Sequence, residues 1–310
     1  MGSAINTAYG PGIPLEVSQS FTPLGIRFWD LTQNLPIADG LAVSLRLANS
    51  NAPALPAALT RSGVYAFFGL PGLFAAEHPG PAGYGPPRIF RYVVTVEDLL
   101  GRYLPAVLVY SLDQTGTVLV QGSPDTTPGA RVAQLFSAVS RPVPPGVGAI
   151  RADLLDRDTN QPAAWAVIRV QIAGEPETWT GIADEAGRVL VLVPYPVMQA
   201  LQLGSPPGTG QGNIAAQSWP VTIEAQYDPG QLGYPAADFQ DAEWPWTGTP
   251  SLKDILSNQP AAAIWPNPAA PAMQLTANLN FGAGLVLSSV SGSPPSPGST
   301  LNISRGGSPP

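Results

Sequence analysis

The chain has 310 residues, long enough for two domains of ordinary size, and 44% of them are hydrophobic, so a core can be buried. Charged residues are only 11%, the net charge is −7 and Lys253 is the sole lysine, which leaves no basic stripe for nucleic acid. With 37 Pro and 33 Gly, helices of ordinary length have little room and short strands between turns fit better; with no Cys, disulfides and thiolate metal sites are excluded.

Low charge fits a surface packed against partner subunits. It fits equally a genome that favours Ala, Pro, Gly and Arg over Lys. The first residues carry neither a basic region nor an apolar run, so no signal peptide is expected. The longest apolar stretches, at 104–112 and 189–193, are too short to span a bilayer. The expectation is a soluble protein made in the cytoplasm, without membrane insertion.

Residues 1–16 read as an irregular arm punctuated by Gly10, Pro11, Gly12 and Pro14. Residues 17–120 read as a first β-sandwich domain. Residues 25–30 (GIRFWD) open a strand, and Asn34-Leu35-Pro36 turns it. Residues 41–47 (LAVSLRL) alternate apolar and polar, the period of a half-buried strand. Gly63 leads into VYAFF at 64–68, which stops near Pro71; RIFRYVVTV (88–96) and YLPAVLVYSL (103–112) complete the sheet. Thr95 to Asp98 reads as a helix N-cap with an acidic first turn. Residues 121–147 read as a stiff linker, with an apolar patch at 132–139 and the pair Pro144-Pro145.

A second domain spans 148–290 and repeats the first in outline. Asn160-Gln161-Pro162 answers Asn34-Leu35-Pro36, Gly187 answers Gly63, and Pro194 with Pro196 answers Pro71. Each shared position has a backbone role: reversing the chain, permitting a left-handed conformation, ending a strand. Residues 197–203 suit a short helix and 204–212 a Gly/Pro loop. WPVTIEAQ (219–226) is a strand, and Ser251 with Asp254 suits a capping box for a short helix to Ser257. An irregular aromatic insertion covers 227–270. MQLTANLNF (273–281), the Gly282–Gly284 turn and residues 285–290 read as a β-hairpin. Residues 291–310, rich in Ser, Gly and Pro, read as a disordered tail. The fold class is therefore all-β: two tandem Ig-like or transthyretin-like sandwiches with Pro/Gly-rich arms.

Chemistry is sparse. His78 is the single histidine, in a Gly/Pro loop, which removes Ser-His-Asp and Cys-His catalysis unless it acts itself. Asp156, Asp158 and Asn160 match the start of a calcium loop, but Gln161 and Val167 stand where glycine and glutamate belong; a polar turn explains the same residues. Asp238, Asp241 and Glu243 beside Trp244 and Trp246 suit either a hydrolase cleft or an aromatic surface anchored on a neighbour. Residues 208–212 share only glycine content with a phosphate loop, and no G-x-S-x-G is present. Trp29, Trp165 and Trp179 fall in strand patterns and suit core or inter-sheet packing. Trp244, Trp246, Trp265, Tyr234 and Phe239 are the candidate partner contacts. No catalytic residue, cofactor or metal site is assigned.

The stretch from Asp156-Arg-Asp158-Thr-Asn160-Gln-Pro162 through Gly181-Ile-Ala-Asp-Glu-Ala-Gly187-Arg to Pro194 resembles the carboxypeptidase-regulatory-like (transthyretin-like) β-sandwich family. That resemblance covers about fifty residues well and 25–71 more weakly; it implies a binding or stiffening module, not a peptidase. In its terminal arms, composition and lack of catalytic residues the chain also resembles accessory subunits of phage-tail-like contractile injection systems. This second resemblance implies an adaptor, cap or baseplate-type component, built into a particle that can be released from the cell. Its partners would be protein subunits, with a homo-oligomeric ring as one arrangement. The alternative is a surface or secreted module that binds carbohydrate or protein, with glycan held by exposed tryptophans.

Overall fold

Strand β1 (Leu24–Asp30) buries Leu24, Ile26, Phe28 and Asp30 and leaves Gly25, Arg27 and Trp29 half-exposed, the alternation that a pleated strand imposes. The computed structural model describes residues 22–50, 52–73, 88–120, 123–124, 131–196, 217–237, 239, 245–268, 270–291, 296–297 and 299–305, and in them the chain is all-β. After β1 come β2 (Leu35–Ile37), β3 (Leu41–Leu47), β4 (Leu55–Pro56), β5 (Ala58–Leu59) and β6 (Tyr65–Phe67). Then follow β7 (Ile89–Asp98), β8 (Ala106–Asp113), β9 (Val118–Val120), β10 (Ser123–Pro124) and β11 (Arg131–Gln134). One sheet runs β11-β1-β6-β5 with β2 on β1, and the other runs β10-β9-β8-β7-β3-β4. Leu24, Ile26 and Phe28 of the first sheet meet Val43, Leu45, Tyr92, Val94 and Val96 of the second in one apolar core.

The second module is built on β12 (Val147–Asp156), β13 (Gln161–Pro162), β14 (Val167–Ile172), β15 (Thr178–Ile182), β16 (Arg188–Pro194) and β17 (Ser218–Gln226). After α1 (Leu252–Ser257) it is completed by β18 (Ala261–Asn267), β19 (Ala270–Ala272), β20 (Leu275–Asn280), β21 (Leu285–Leu287), β22 (Val290–Ser291), β23 (Ser296–Pro297) and β24 (Leu301–Ser304). The pairing repeats that of the first module. β12 lies antiparallel to β16 and parallel to β21 and β24, as β1 lies antiparallel to β6 and parallel to β11. β14, β17 and β20 repeat β3, β7 and β8. β18 pairs with both β17 and β24, so it closes one edge between the two layers.

The repeat is also visible at single residues. Asn34 and Asn160 hold φ of 52° and 55°, and Gly63 and Gly187 hold 73° and 76°. Asp30 Oδ1 accepts from the Thr32 and Gln33 amides, and Asp156 Oδ1 accepts from the Asp158 amide, each folding the turn onto its strand. The second oxygen of each carboxylate meets a tyrosine hydroxyl, Tyr103 for Asp30 at 2.9 Å and Tyr227 for Asp156 at 3.4 Å.

Four sequence expectations are corrected. Thr95 to Asp98 is not a helix N-cap: β7 continues through Asp98, because Thr95 and Val96 pair with β3 and β8. Arg131–Gln134, expected as linker, is strand β11, paired in parallel with β1 and burying Ala133. The expected hairpin at 273–290 does not form. β20 pairs with β17 and β21 with β12, so the Gly282 turn carries the chain from one layer to the other. The expected disordered tail contains β24, whose Leu301 and Ile303 are fully buried between β12 and β18. The short helix at 252–257 forms with Ser251 at its N-cap, although the Ser251 side chain makes no capping hydrogen bond. The arm at 1–16, the loop at 75–87, the helix and Gly/Pro loop expected at 197–212, and His78 lie outside the described residues.

Candidate functional site

The two sandwiches meet along an apolar seam. Trp165, Val167, Ile182, Leu232, Leu252 and Ile255 of the second half belong to the same buried core as Leu104 and Phe136 of the first. Trp165 reaches it from a left-handed backbone, φ 62°, a conformation that costs an aromatic residue energy and persists only where the surroundings impose it. Gln259, which is buried, fastens this stretch to its neighbours. Its Nε2 donates to the carbonyls of Trp165 at 2.8 Å and Ile255 at 3.1 Å, and its Oε1 accepts from the Asp228 amide at 3.0 Å. A void of about 10 Å³ remains between Leu104, Phe136, Trp165 and Leu252, room for at most one water and lined by apolar groups.

Beside the seam lies an open cleft of about 320 Å³, lined by Glu97, Asp98, Tyr103, Pro105, Glu185, Trp246 and Thr249. Its walls come from the end of β7 and the connection into β8, from the β15–β16 turn, and from the 3-10 turn Pro245–Gly248 with the adjoining Thr249. Asp98 is not free to react. Its carboxylate accepts from the amides of Leu100, Arg102 and Tyr103 and from the Arg102 guanidinium. Burial opposes its ionisation, but these hydrogen bonds outweigh burial and hold its pKa below the usual carboxylate range. Tyr103 is raised above the ordinary phenol value, first by burial and then by the hydrogen bond to Asp30. Arg141 donates to the same Asp30 oxygen and stands 4.8 Å from the Tyr103 ring. These are structural groups committed to one another.

The predicted contact residues fall in different places. Trp246 is half-buried, lines the cleft and packs against the cluster of Val93, Val107, Ala236 and Phe239. Phe239 is buried in that cluster, with the Arg46 guanidinium 5.6 Å from its ring. The aromatic segment therefore covers the outer face of β7 and β8, which explains why Tyr92 to Val96 are buried without alternation. Trp265 donates from its indole to Ser304 Oγ at 2.9 Å and lies under the Arg157 guanidinium at 3.5 Å, fastening β24. Tyr234 is exposed. Trp244, Asp238, Asp241 and Glu243 lie outside the described residues. Trp165 is core as expected but lies in the turn before β14 rather than in a strand, while Trp29 and Trp179 are only half-buried. Of the suggested calcium ligands, Asp156 is buried and used by its own turn, and Asp158 and Asn160 are exposed. Among the described residues no three His, Cys, Asp or Glu side chains gather to hold a metal ion. Glu97 and Glu185 were not singled out from sequence, because nothing in their local patterns places them at one cleft.

No family model and no curated protein matches the chain. Among solved structures it is similar to the Bacillus anthracis TIE protein, with 12% identity and a TM-score of 0.21 over 69% of this chain and 30% of that one. It is similar to the pilus adhesin SpaC from Lactobacillus rhamnosus GG in its open conformation, with 14% identity and a TM-score of 0.21 over 91% of this chain and 31% of that one. A C-terminal fragment of SpaC gives 11% identity and a TM-score of 0.21 over 91% and 96%. The chain spans less than a third of the length of the first two. Likenesses at these TM-scores carry no argument about role.

Proposed function

We propose that this chain is a non-enzymatic structural subunit that joins partner proteins in a larger assembly. The observation that carries the reading is the shared seam: Trp165, Leu252 and Ile255 complete the core of the first sandwich, so the two modules form one stiff body rather than beads on a tether. The use of the short acidic side chains supports it. Asp30, Asp98, Asp113, Asp156, Asp184 and Asp228 each accept backbone amides of their own turns. The repeated Asn and Gly turn geometry supports modules of the carboxypeptidase-regulatory-like kind, used for stiffness.

The finer form of the proposal is an adaptor, cap or baseplate-type component of a phage-tail-like contractile injection particle. It would be made in the cytoplasm and arranged with protein subunits, in a ring of copies where the symmetry requires one. Co-purification from the native host with mass spectrometry tests it. Sheath and tube proteins recovered with the chain are the expected outcome, and a chain recovered alone as a monomer would falsify the proposal. A second reading, a surface module for glycan or protein, is favoured by one observation: the Trp246 ring lines an open cleft. Binding on a glycan array that Trp246→Ala abolishes would favour it over the first.

A further inference from the structure

The seam cleft holds side chains to which the fold gives no task. Glu97 and Glu185, one from each module, are exposed, and among the described residues neither makes an ion pair or a hydrogen bond. The carboxylate next to Glu97 is different: Asp98 is taken up by Arg102, which also reaches Asp39. Thr249 is only 3% exposed as a residue, lines the same cleft, and its hydroxyl makes no hydrogen bond among the described residues. Trp246 and Pro105 supply apolar wall beside these polar groups.

Two unpaired carboxylates, a hydroxyl and an indole ring on one cleft suit one kind of ligand. It carries positive charge, donates several hydrogen bonds, and has a flat or apolar part to lie against Trp246. At about 320 Å³ the cleft stands at the lower end of the ~300–1,000 Å³ of small-ligand pockets, the scale of one long side chain and its neighbours. Arginine fits better than lysine. Its planar guanidinium stacks on an aromatic face, and its five fixed N–H donors suit a wall that carries more than one acceptor. With one lysine and a net charge of −7, the chain itself is complementary to a basic partner.

We propose that the seam cleft formed by Glu97, Glu185, Trp246 and Thr249 receives an arginine side chain presented by a partner protein. The inference rests on the reading of this chain as a subunit that binds proteins, and it gives that reading a contact chemistry. Because Glu97 and Glu185 come from different modules, the site exists only while the seam is closed.

The test uses the full chain and short capped peptides that carry arginine, lysine or the neutral isostere citrulline, read by calorimetry. Saturable binding of the arginine peptide is expected, about tenfold weaker for citrulline and weaker in high salt. The double variant E97Q/E185Q, with exposed positions and an unchanged circular dichroism spectrum, should lose about tenfold in affinity, and Trp246→Phe should weaken binding further. No saturable binding of the arginine peptide, or equal affinity for arginine and citrulline, overturns the inference. So does an unchanged affinity in E97Q/E185Q, or a response to glycans alone. Partners that co-purify equally with wild type and E97Q/E185Q, without peptide binding, defeat this inference and leave the assembly reading standing. Peptide binding without any co-purifying subunit does the reverse.

Discussion

Gly187 and Gly63 occupy the same turn in the two modules, yet they tolerate a side chain differently. Both have positive φ, so alanine costs about 1–2 kcal/mol at either position. A Cβ at Gly63 would stand 3.5 Å from Ala38 Cβ, an ordinary contact, whereas one at Gly187 would stand 2.4 Å from the Leu154 carbonyl oxygen. Gly187→Ala is therefore expected to lose at least ~1 kcal/mol more than Gly63→Ala in denaturant titrations. Tyr227 gives a pH signature at the same scale. Burial first, and the Asp156 carboxylate second, push its phenol up to about 12. A raised pKa means that its contribution to stability is complete below the ordinary phenol value of about 10 and is lost as pH rises toward 12. Tyr227→Phe should flatten that part of the alkaline unfolding curve, and an unchanged curve would remove Tyr227 from the account.

Strand β24 is the element whose role departs most from its composition. Its neighbours are Ser, Gly and Pro, but Leu301 and Ile303 fill the gap between β12 and β18. Ending the chain at Thr300 is expected to cost about 3–6 kcal/mol from these two side chains, with the β12 and β18 ladders losing partners as well. A thermal unfolding midpoint unmoved by that truncation would contradict the placement of β24. The hairpin that the sequence suggests at 273–290 fails for a related reason. The alternation of MQLTANLNF fixes which face of β20 is inward, but neither alternation nor a glycine turn determines the strand beside it. β17 and β12 were already present as partners in the two layers, so the turn bridges the layers instead of closing a hairpin.

At the scale of the whole molecule, the seam decides how the modules behave together. A core that includes Phe136 from one side and Trp165 and Ile255 from the other is lost as a unit. One calorimetric transition is expected for the wild-type chain. Trp165→Ala should cost about 3–5 kcal/mol and separate the transition into two, because it empties the position where the halves interlock. Two transitions in the wild type would show that the modules unfold independently, and the case for a stiff joined body would fall with that result.

The turn chemistry was legible in the sequence. Asn34 and Asn160, with Gly63 and Gly187, mark left-handed positions whose identity is dictated by local sterics, and the alternating strands follow from a period of two. Those features determine an all-β chain with a repeated unit. The tertiary structure decided the rest, because it depends on contacts between residues far apart in the chain. It placed β11 beside β1 and β24 beside β12, laid Phe239 and Trp246 over the outer face of the first sandwich, and brought Glu97 and Glu185 to one cleft. Local pattern records which face of a strand is apolar; it does not record what covers that face, and at the seam the covering elements make the site.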